Sequence, residues 1–132
     1  MTSATPETTL PEIVCIGETM ALLTPTDAAL ADAHATISLA GAESNVAAGL
    51  VAAGRRAAWT SRLGDDPLGI RISSELSRRG IQVWAERDAD APTGVMFKDP
   101  GAEGSSVYYY RRGSAASRMS PGHLPAERLS GV

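Results

Sequence analysis

Short apolar segments alternate with helical patterns along the first two thirds of the chain, and this alternation constrains the fold more than any other feature. The run from Ile13 to Ile16 is continuously apolar and ends at Gly17-Glu18, which is typical of a strand buried on both faces. Two further strands are predicted at Ala57 to Leu63 and at Ile81 to Trp84. A helical segment lies in each interval between the strands. The order strand, helix, strand, helix, strand predicts a doubly wound α/β fold with a mainly parallel sheet.

Both predicted helices carry recognisable end signals. The first runs from Glu43 to Ala53, with apolar residues at helical spacing and a glycine after it as a stop. The second begins at Asp66-Pro67, where the carboxylate can accept free amide hydrogens of the first turn, and Gly80 ends it. The pair Asp65-Asp66 also resembles a carboxylate pair for catalysis or for Mg²⁺ binding. Helix capping is the preferred interpretation of Asp66 because Pro67 follows it directly.

Several segments do not fit the alternation and are predicted to form a small β lid apart from the main sheet. Gly94 to Lys98 and Val107 to Arg112 are two short strands separated by a turn-rich segment, which indicates a hairpin with a longer loop. Met20 to Leu23 and Thr36 to Leu39 are candidates for further lid strands. The Ala-rich residues 27 to 35 between these two segments carry no distinct helix or strand pattern.

The charge pattern excludes some classes of partner. The 12 basic and 15 acidic side chains give a net charge of -3 and form no block of like charge, so neither nucleic acid nor a membrane is expected as a partner. The single Cys15 is expected to pack as a buried hydrophobe. Residues 1–11 show no secretory signal and are expected to be a disordered leader, which points to a cytoplasmic protein with one domain over residues 12–132.

The segment from Gly41 to Asn45 is the strongest candidate for a binding loop. A glycine permits close approach of a ligand to the backbone, and Glu43 and Asn45 place hydrogen-bonding side chains at the start of a helix. Such a turn can hold a polyol. The alternative is that Glu43 and Asn45 only cap the helix, which is a common role for such residues.

At this point the sequence resembles a known family. The run Gly41 to Ala47, then Ala53-Gly54, then Arg62 to Gly69, is similar in order and spacing to the first signature region of ribokinase-like (PfkB) carbohydrate kinases. The segment Tyr108 to Ser117 is similar to the 2-keto-3-deoxygluconate kinase branch, and the resemblance covers residues 13 to 132, nearly the whole chain. It implies a ribokinase-like fold with a β lid.

The function that the resemblance implies is ATP-dependent phosphorylation of a small-molecule sugar or sugar acid. The leading substrate is 2-keto-3-deoxygluconate, converted to its 6-phosphate. A fructokinase or ribokinase type of enzyme is the alternative within the family, and a non-catalytic sugar-binding fragment is the alternative outside it. Lid hairpins that pair between subunits would give a homodimer.

The resemblance also implies which residues contact the sugar. An acidic group after the first strand corresponds to Glu18, and the substrate loop corresponds to the Gly41 turn. The lid contributes an arginine suited to a carboxylate, although Arg111 taken alone reads as a solvated strand residue. Met96 stands where some relatives have a tyrosine. The implied substrate-binding residues are Glu18, Gly41, Ala42, Glu43, Ser44, Asn45, Met96, Tyr109, Tyr110 and Arg111.

Some family features are missing from these residues. The family's catalytic aspartate lies in a Gly-Ala-Gly-Asp segment, and no such segment occurs here. Neither a Gly-x-x-x-x-Gly-Lys nor a Gly-x-Gly-x-x-Gly motif is present to cradle a nucleotide. The catalytic residues and the sites for ATP and Mg²⁺ are therefore expected beyond Val132, in a chain that is truncated and inactive by itself.

Overall fold

The structure is a computed structural model that describes residues 9–26, 34–101 and 104–132. This part of the chain contains two sheets, two longer helices and short helical turns. The strands are β1 (Ile13–Ile16), β2 (Met20–Pro25), β3 (Ala35–Ala40), β4 (Ala57–Gly64), β5 (Gln82–Asp88), β6 (Val95–Gly101) and β7 (Gly104–Tyr110). The helices are α1 (Ala42–Ala52), α2 (Pro67–Arg78) and α3 (Ala126–Leu129), with 3₁₀ turns at Ala116–Arg118 and Pro121–His123.

The first sheet is parallel, in the strand order β1-β4-β5, as the alternation predicted. Helix α1 packs on β1 and β4, and α2 packs mainly on β5. The core between helices and sheet is built around Trp59, Leu63, Ile72 and Leu76, which are essentially inaccessible to solvent. Cys15 belongs to the same cluster, and burial raises the pKa of its thiol. The prediction of a buried structural cysteine is confirmed.

The start of α2 follows the predicted capping arrangement. Asp66 Oδ1 accepts the backbone N–H of Gly69 at 2.8 Å, and Thr93 donates to the same carboxylate from its backbone N at 2.8 Å and its hydroxyl at 2.9 Å. Burial acts to raise the pKa of Asp66, but these hydrogen bonds outweigh it and the pKa is lowered. Among the described residues, no group of three His, Cys, Asp or Glu side chains could hold a metal ion. The capping interpretation of Asp66 is confirmed.

The second sheet has the strand order β3-β2-β6-β7 and forms the predicted lid. Strands β2 and β3 pair antiparallel, which confirms both candidate lid strands, and β2 pairs with β6 in parallel. The β6–β7 hairpin differs from its prediction because pairing continues to Gly101 opposite Gly104. The connecting loop is therefore short. Strand β7 ends at Tyr110, and Arg111 and Arg112 lie outside it, because a turn with Gly113 at φ 72° follows.

Two other regions differ from the sequence-based boundaries. Strand β5 continues past Trp84 because its pairing with β4 extends to Gly64 opposite Asp88. In the predicted leader, Thr9 O accepts a hydrogen bond from Gln82 at 2.8 Å and Leu10 O accepts one from Arg56 at 2.9 Å. The predictions for residues 1–8 and 27–33 lie outside the described residues. No helix in the described ranges is long and apolar enough to cross a membrane.

Candidate functional site

The two sheets meet at a cleft of about 690 Å³, at the carboxyl end of β1 and the amino end of α1. The lid strands β6 and β7 and the segment after them form its other side. Carboxyl ends of parallel strands are where α/β folds place ligands. The lining residues are Gly17, Glu18, Met20, Ala40, Gly41, Ala42, Glu43, Asn45, Met96, Tyr109, Arg111, Ala116 and Met119.

The Gly41 turn leaves two polar side chains free to face the cleft. Gly41 is the N-cap of α1, with extended backbone at φ -172°, and no side chain caps the helix. Ser44 instead donates back to Gly41 O at 3.2 Å and is buried. In the described structure neither Glu43 nor Asn45 caps α1 through a side-chain hydrogen bond, and both line the cleft.

Close packing beneath the turn explains the glycine. A Cβ on Gly41 would lie 2.6 Å from Thr19 Oγ1 and 2.7 Å from Glu18 O. Such distances require a shift of the backbone or of the buried Thr19 side chain. Ser44 Oγ of α1 would lie 2.7 Å away, so the requirement for Gly41 comes from the β1–β2 connection and from the first turn of α1.

Glu18 is the buried acidic group of the cleft, with 9% of its side chain exposed. Its Oε1 accepts a hydrogen bond from Ser114 Oγ at 2.8 Å, and its Oε2 lies 2.7 Å from Arg111 Nε. The carboxylate lies directly over Gly94, because a Cβ there would be 2.6 Å from Oε1. Gly94 therefore gives the carboxylate room to reach both the lid segment and the cleft.

Arg111 is the cationic side chain of the cleft. Its Nε pairs with Glu18, while its two Nη atoms make no hydrogen bond to the described part of the chain, and 53% of the side chain is exposed. Arg112 is exposed and does not line the cleft. The resemblance selected Arg111 rather than Arg112, and Arg111 is the arginine that lines the cleft.

The lid contributes one tyrosine of the predicted pair. Met96 and Tyr109 are opposite each other in the β6–β7 hairpin and both line the cleft. Successive side chains of a strand point to opposite faces, so Tyr110 lies on the other face. There it packs edge-on against Phe97, with ring centroids 5.4 Å apart. Of the ten predicted substrate-binding residues, the structure does not bring Tyr110 or Ser44 to the cleft.

Several lining residues were missed by the sequence analysis. Met20 and Met119 join Met96, so three of the chain's four methionines line this one cleft. Ser114, which does not line the cleft but donates to Glu18, was also not predicted, although it lies in the segment that carried the resemblance. Nothing in the local pattern distinguished Ser114 from its neighbour Ser117, because the partner that gives it a role, Glu18, is 96 residues away.

Comparisons with known proteins agree with this fold. The model of the family described as pfkB family carbohydrate kinase matches residues 10–127. The chain belongs to this family. It is 38% identical over 121 residues to a 2-dehydro-3-deoxygluconokinase of Bacillus subtilis, covering 88% of this chain and 37% of the relative. A 2-dehydro-3-deoxygalactonokinase of Haloferax volcanii is 34% identical over 120 residues, covering 88% of this chain and 38% of the relative.

Among solved structures, a 2-dehydro-3-deoxygluconokinase of Thermotoga maritima superimposes with a TM-score of 0.84 and 29% identity, over 91% of this chain and 38% of that chain. By sequence alone, a fructokinase of Solanum habrochaites is also similar, at 32% identity over 85% of this chain and 36% of the relative. The ribokinase-like fold implied by the resemblance is confirmed. The chain spans little more than a third of the length of these relatives.

Proposed function

We propose that the protein phosphorylates the terminal hydroxyl of a sugar acid, and that this chain supplies the sugar-binding part. The leading substrate is 2-keto-3-deoxygluconate (2-dehydro-3-deoxygluconate), with the 6-phosphate as product. The observation that carries the proposal is the position of Arg111, the one cationic side chain lining the cleft in the described residues. A guanidinium edge binds a carboxylate in a bidentate geometry.

ATP and Mg²⁺ are the phosphoryl donor and the metal that the family implies. Among the described residues no group of three His, Cys, Asp or Glu side chains could hold a metal ion, and the sequence contains neither a Gly-x-x-x-x-Gly-Lys nor a Gly-x-Gly-x-x-Gly motif. The roles assigned to this chain are therefore binding and orientation of the sugar. The Arg111 Nη atoms hold the carboxylate, Asn45 and the carboxylates of Glu18 and Glu43 bond the hydroxyls, and Tyr109 covers the ligand from the lid.

The methionines favour a deoxy sugar. Met20, Met96 and Met119 present thioethers, which donate no hydrogen bond and accept only weakly. A hydroxyl placed against them loses its hydrogen bonds to water without replacement, whereas a CH₂ group loses nothing. The 3-position of 2-keto-3-deoxygluconate is such a CH₂ group. This contact favours it over sugars that carry a hydroxyl at the corresponding carbon.

A neutral sugar is the second candidate substrate, and one observation favours it. Arg111 Nε is already paired with Glu18 at 2.7 Å, so the guanidinium has a counter-ion before any ligand carboxylate arrives. Glu43 adds a second acidic group to the cleft lining. A fructokinase or ribokinase type of enzyme would use Arg111 to hold Glu18 in place for binding hydroxyls.

The test is a comparison of kcat/KM for acidic and neutral sugars, using the protein encoded by the complete gene and ATP as donor. We expect kcat/KM for 2-keto-3-deoxygluconate to be at least about tenfold higher than for fructose and ribose. This is the factor that corresponds to one charge-assisted hydrogen bond. A preference for fructose or ribose would replace the first candidate by the second. Sugar binding without turnover would instead support a non-catalytic sugar-binding protein.

We also propose a homodimer that forms through the lid. The outer edge of β7 is unpaired among the described residues, and Tyr108, Tyr109 and Tyr110 are 48%, 58% and 67% exposed. An edge strand with exposed apolar side chains is suited to pairing with a second copy. We expect Tyr108→Lys to shift the mass measured by light scattering toward the monomer. A wild-type protein that is monomeric at all concentrations would contradict this proposal.

A further inference from the structure

Ser114 is a fully buried residue beside the Glu18 carboxylate. It is 1% exposed, and its hydroxyl donates to Glu18 Oε1 at 2.8 Å. The same Oγ accepts the backbone N–H of Ser117 at 3.2 Å. The Ser114 backbone N–H donates to Arg111 O at 3.0 Å, which closes the turn that follows β7. One residue therefore links the turn carrying Arg111 to the carboxylate at the end of β1.

The Ser114 hydroxyl and Arg111 contact different oxygens of the Glu18 carboxylate. With Oε1 held by Ser114, Oε2 is the oxygen that faces Arg111 Nε. The side chain of Glu18 is 9% exposed, so little water reaches it to replace a lost donor. Arg111, in contrast, is 53% exposed and is held in the described structure by that one ion pair.

We infer that Ser114 is a positioning residue for sugar binding: it fixes Glu18, and Glu18 holds the Arg111 guanidinium with its Nη edge toward the cleft. The inference rests on the proposed function, because its consequence is measured as sugar affinity. Ser114 itself does not line the cleft and makes no contact with the ligand in this account. Its effect on the sugar passes entirely through Glu18.

Ser117 provides a matched control three residues away. Its hydroxyl donates to Ser114 O at 2.6 Å, so Ser117→Ala removes a hydrogen bond from the same turn without touching Glu18. We expect Ser114→Ala to raise KM for 2-keto-3-deoxygluconate about tenfold, the typical effect of one hydrogen bond to a charged group, while kcat changes less than about twofold. Ser117→Ala should change both values less than about twofold.

A double-mutant cycle with Glu18→Ala tests the route of the effect. If Ser114 acts only through Glu18, adding Ser114→Ala to Glu18→Ala should raise KM by less than about twofold. An undiminished tenfold effect in that background overturns the inference, as does a Ser114→Ala variant that behaves like Ser117→Ala. Should Ser114→Ala fail to fold, Ser114→Cys, which has a weaker donor of similar size, takes its place. The inference is then overturned if the effect of Ser114→Cys is undiminished in the Glu18→Ala background, or if Ser114→Cys behaves like Ser117→Ala. Failure of the proposed function looks different, because the wild type would then not prefer the acidic sugar.

Discussion

Replacing Arg111 tests the acidic-sugar assignment most sharply, because an acidic sugar has a carboxylate that a neutral sugar lacks. Arg111→Ala removes the cationic side chain that lines the cleft in the described structure. It also leaves the Glu18 carboxylate, 9% exposed, without the cation that lies 2.7 Å away. The second loss weakens the binding of every sugar that uses Glu18. The first loss affects only a ligand with a carboxylate. The informative quantity is therefore the KM for the acidic sugar divided by the KM for the neutral sugar.

The expected size follows from the geometry. A charge-assisted hydrogen bond contributes about 1.5–3 kcal/mol, and a factor of ten in affinity corresponds to about 1.4 kcal/mol. The Arg111 side chain is 53% exposed and its Nε is already engaged with Glu18, so the lower end of that range applies. We expect the KM ratio of acidic to neutral sugar to rise about tenfold in Arg111→Ala.

The assay is steady-state kinetics on the protein from the complete gene, with 2-keto-3-deoxygluconate and fructose as substrates. Arg112→Ala is the matched control, because Arg112 is the adjacent exposed arginine and does not line the cleft. It should leave the ratio unchanged. Arg111→Lys should recover only part of the loss, since an ammonium lacks the fork that contacts Glu18 and a ligand carboxylate at once. Equal losses of affinity for both sugars in Arg111→Ala would refute the proposal that Arg111 binds the ligand carboxylate. The loss would then be explained by the ion pair of Arg111 with Glu18.

Four further substitutions test other parts of the account. Asn45→Ala should raise the sugar KM by a factor equivalent to about 1–3 kcal/mol. The melting temperature should change little, since Asn45 does not cap α1. A change in stability with an unchanged KM would contradict this prediction. Gly94→Ala should weaken sugar binding in the same kinetic assay, because its Cβ would lie 2.6 Å from Glu18 Oε1; wild-type KM would count against that packing. Met96→Gln should reduce the preference for 2-keto-3-deoxygluconate over 2-ketogluconate, measured as the ratio of kcat/KM, and an unchanged ratio would exclude a role for this thioether. Asp66→Ala should lower the free energy of unfolding by about 2 kcal/mol at neutral pH, measured in urea. The pKa of Asp66 is lowered in the folded state, so its contribution to stability is complete above the unfolded pKa of about 3.9. That contribution is lost as the pH falls through the folded pKa. The free energies of unfolding of the variant and the wild type should therefore converge in acid.

Local signals allowed much of the fold to be predicted from sequence. Asp66-Pro67 predicted the start of α2 because capping depends only on neighbouring residues, and the structure places the cap there. The apolar run at Ile13–Ile16 predicted β1 in the same way. The length of the β6–β7 hairpin was not predicted, because the pairing of Gly101 with Gly104 depends on strand register and not on the composition of the turn.

The cleft was predictable only as far as the resemblance reached. It identified Glu18 and Arg111, but their pairing with each other required the distance of 2.7 Å that the structure supplies. The choice between Tyr109 and Tyr110 depends on which face of β7 turns toward the cleft, and a run of three tyrosines carries no alternation from which to infer it. Ser114 gains its role from a contact with a residue far away in sequence, which no local pattern records.

The most direct test of the central claim is a crystal structure of the complete gene product with 2-keto-3-deoxygluconate bound. We expect the sugar to occupy the cleft between the Gly41 turn and the lid, with its carboxylate about 3 Å from an Nη atom of Arg111. The Arg111 Nε should remain against Glu18, and the CH₂ at the 3-position should face the methionines. A sugar bound with its carboxylate away from Arg111, or bound outside this cleft, would contradict the account.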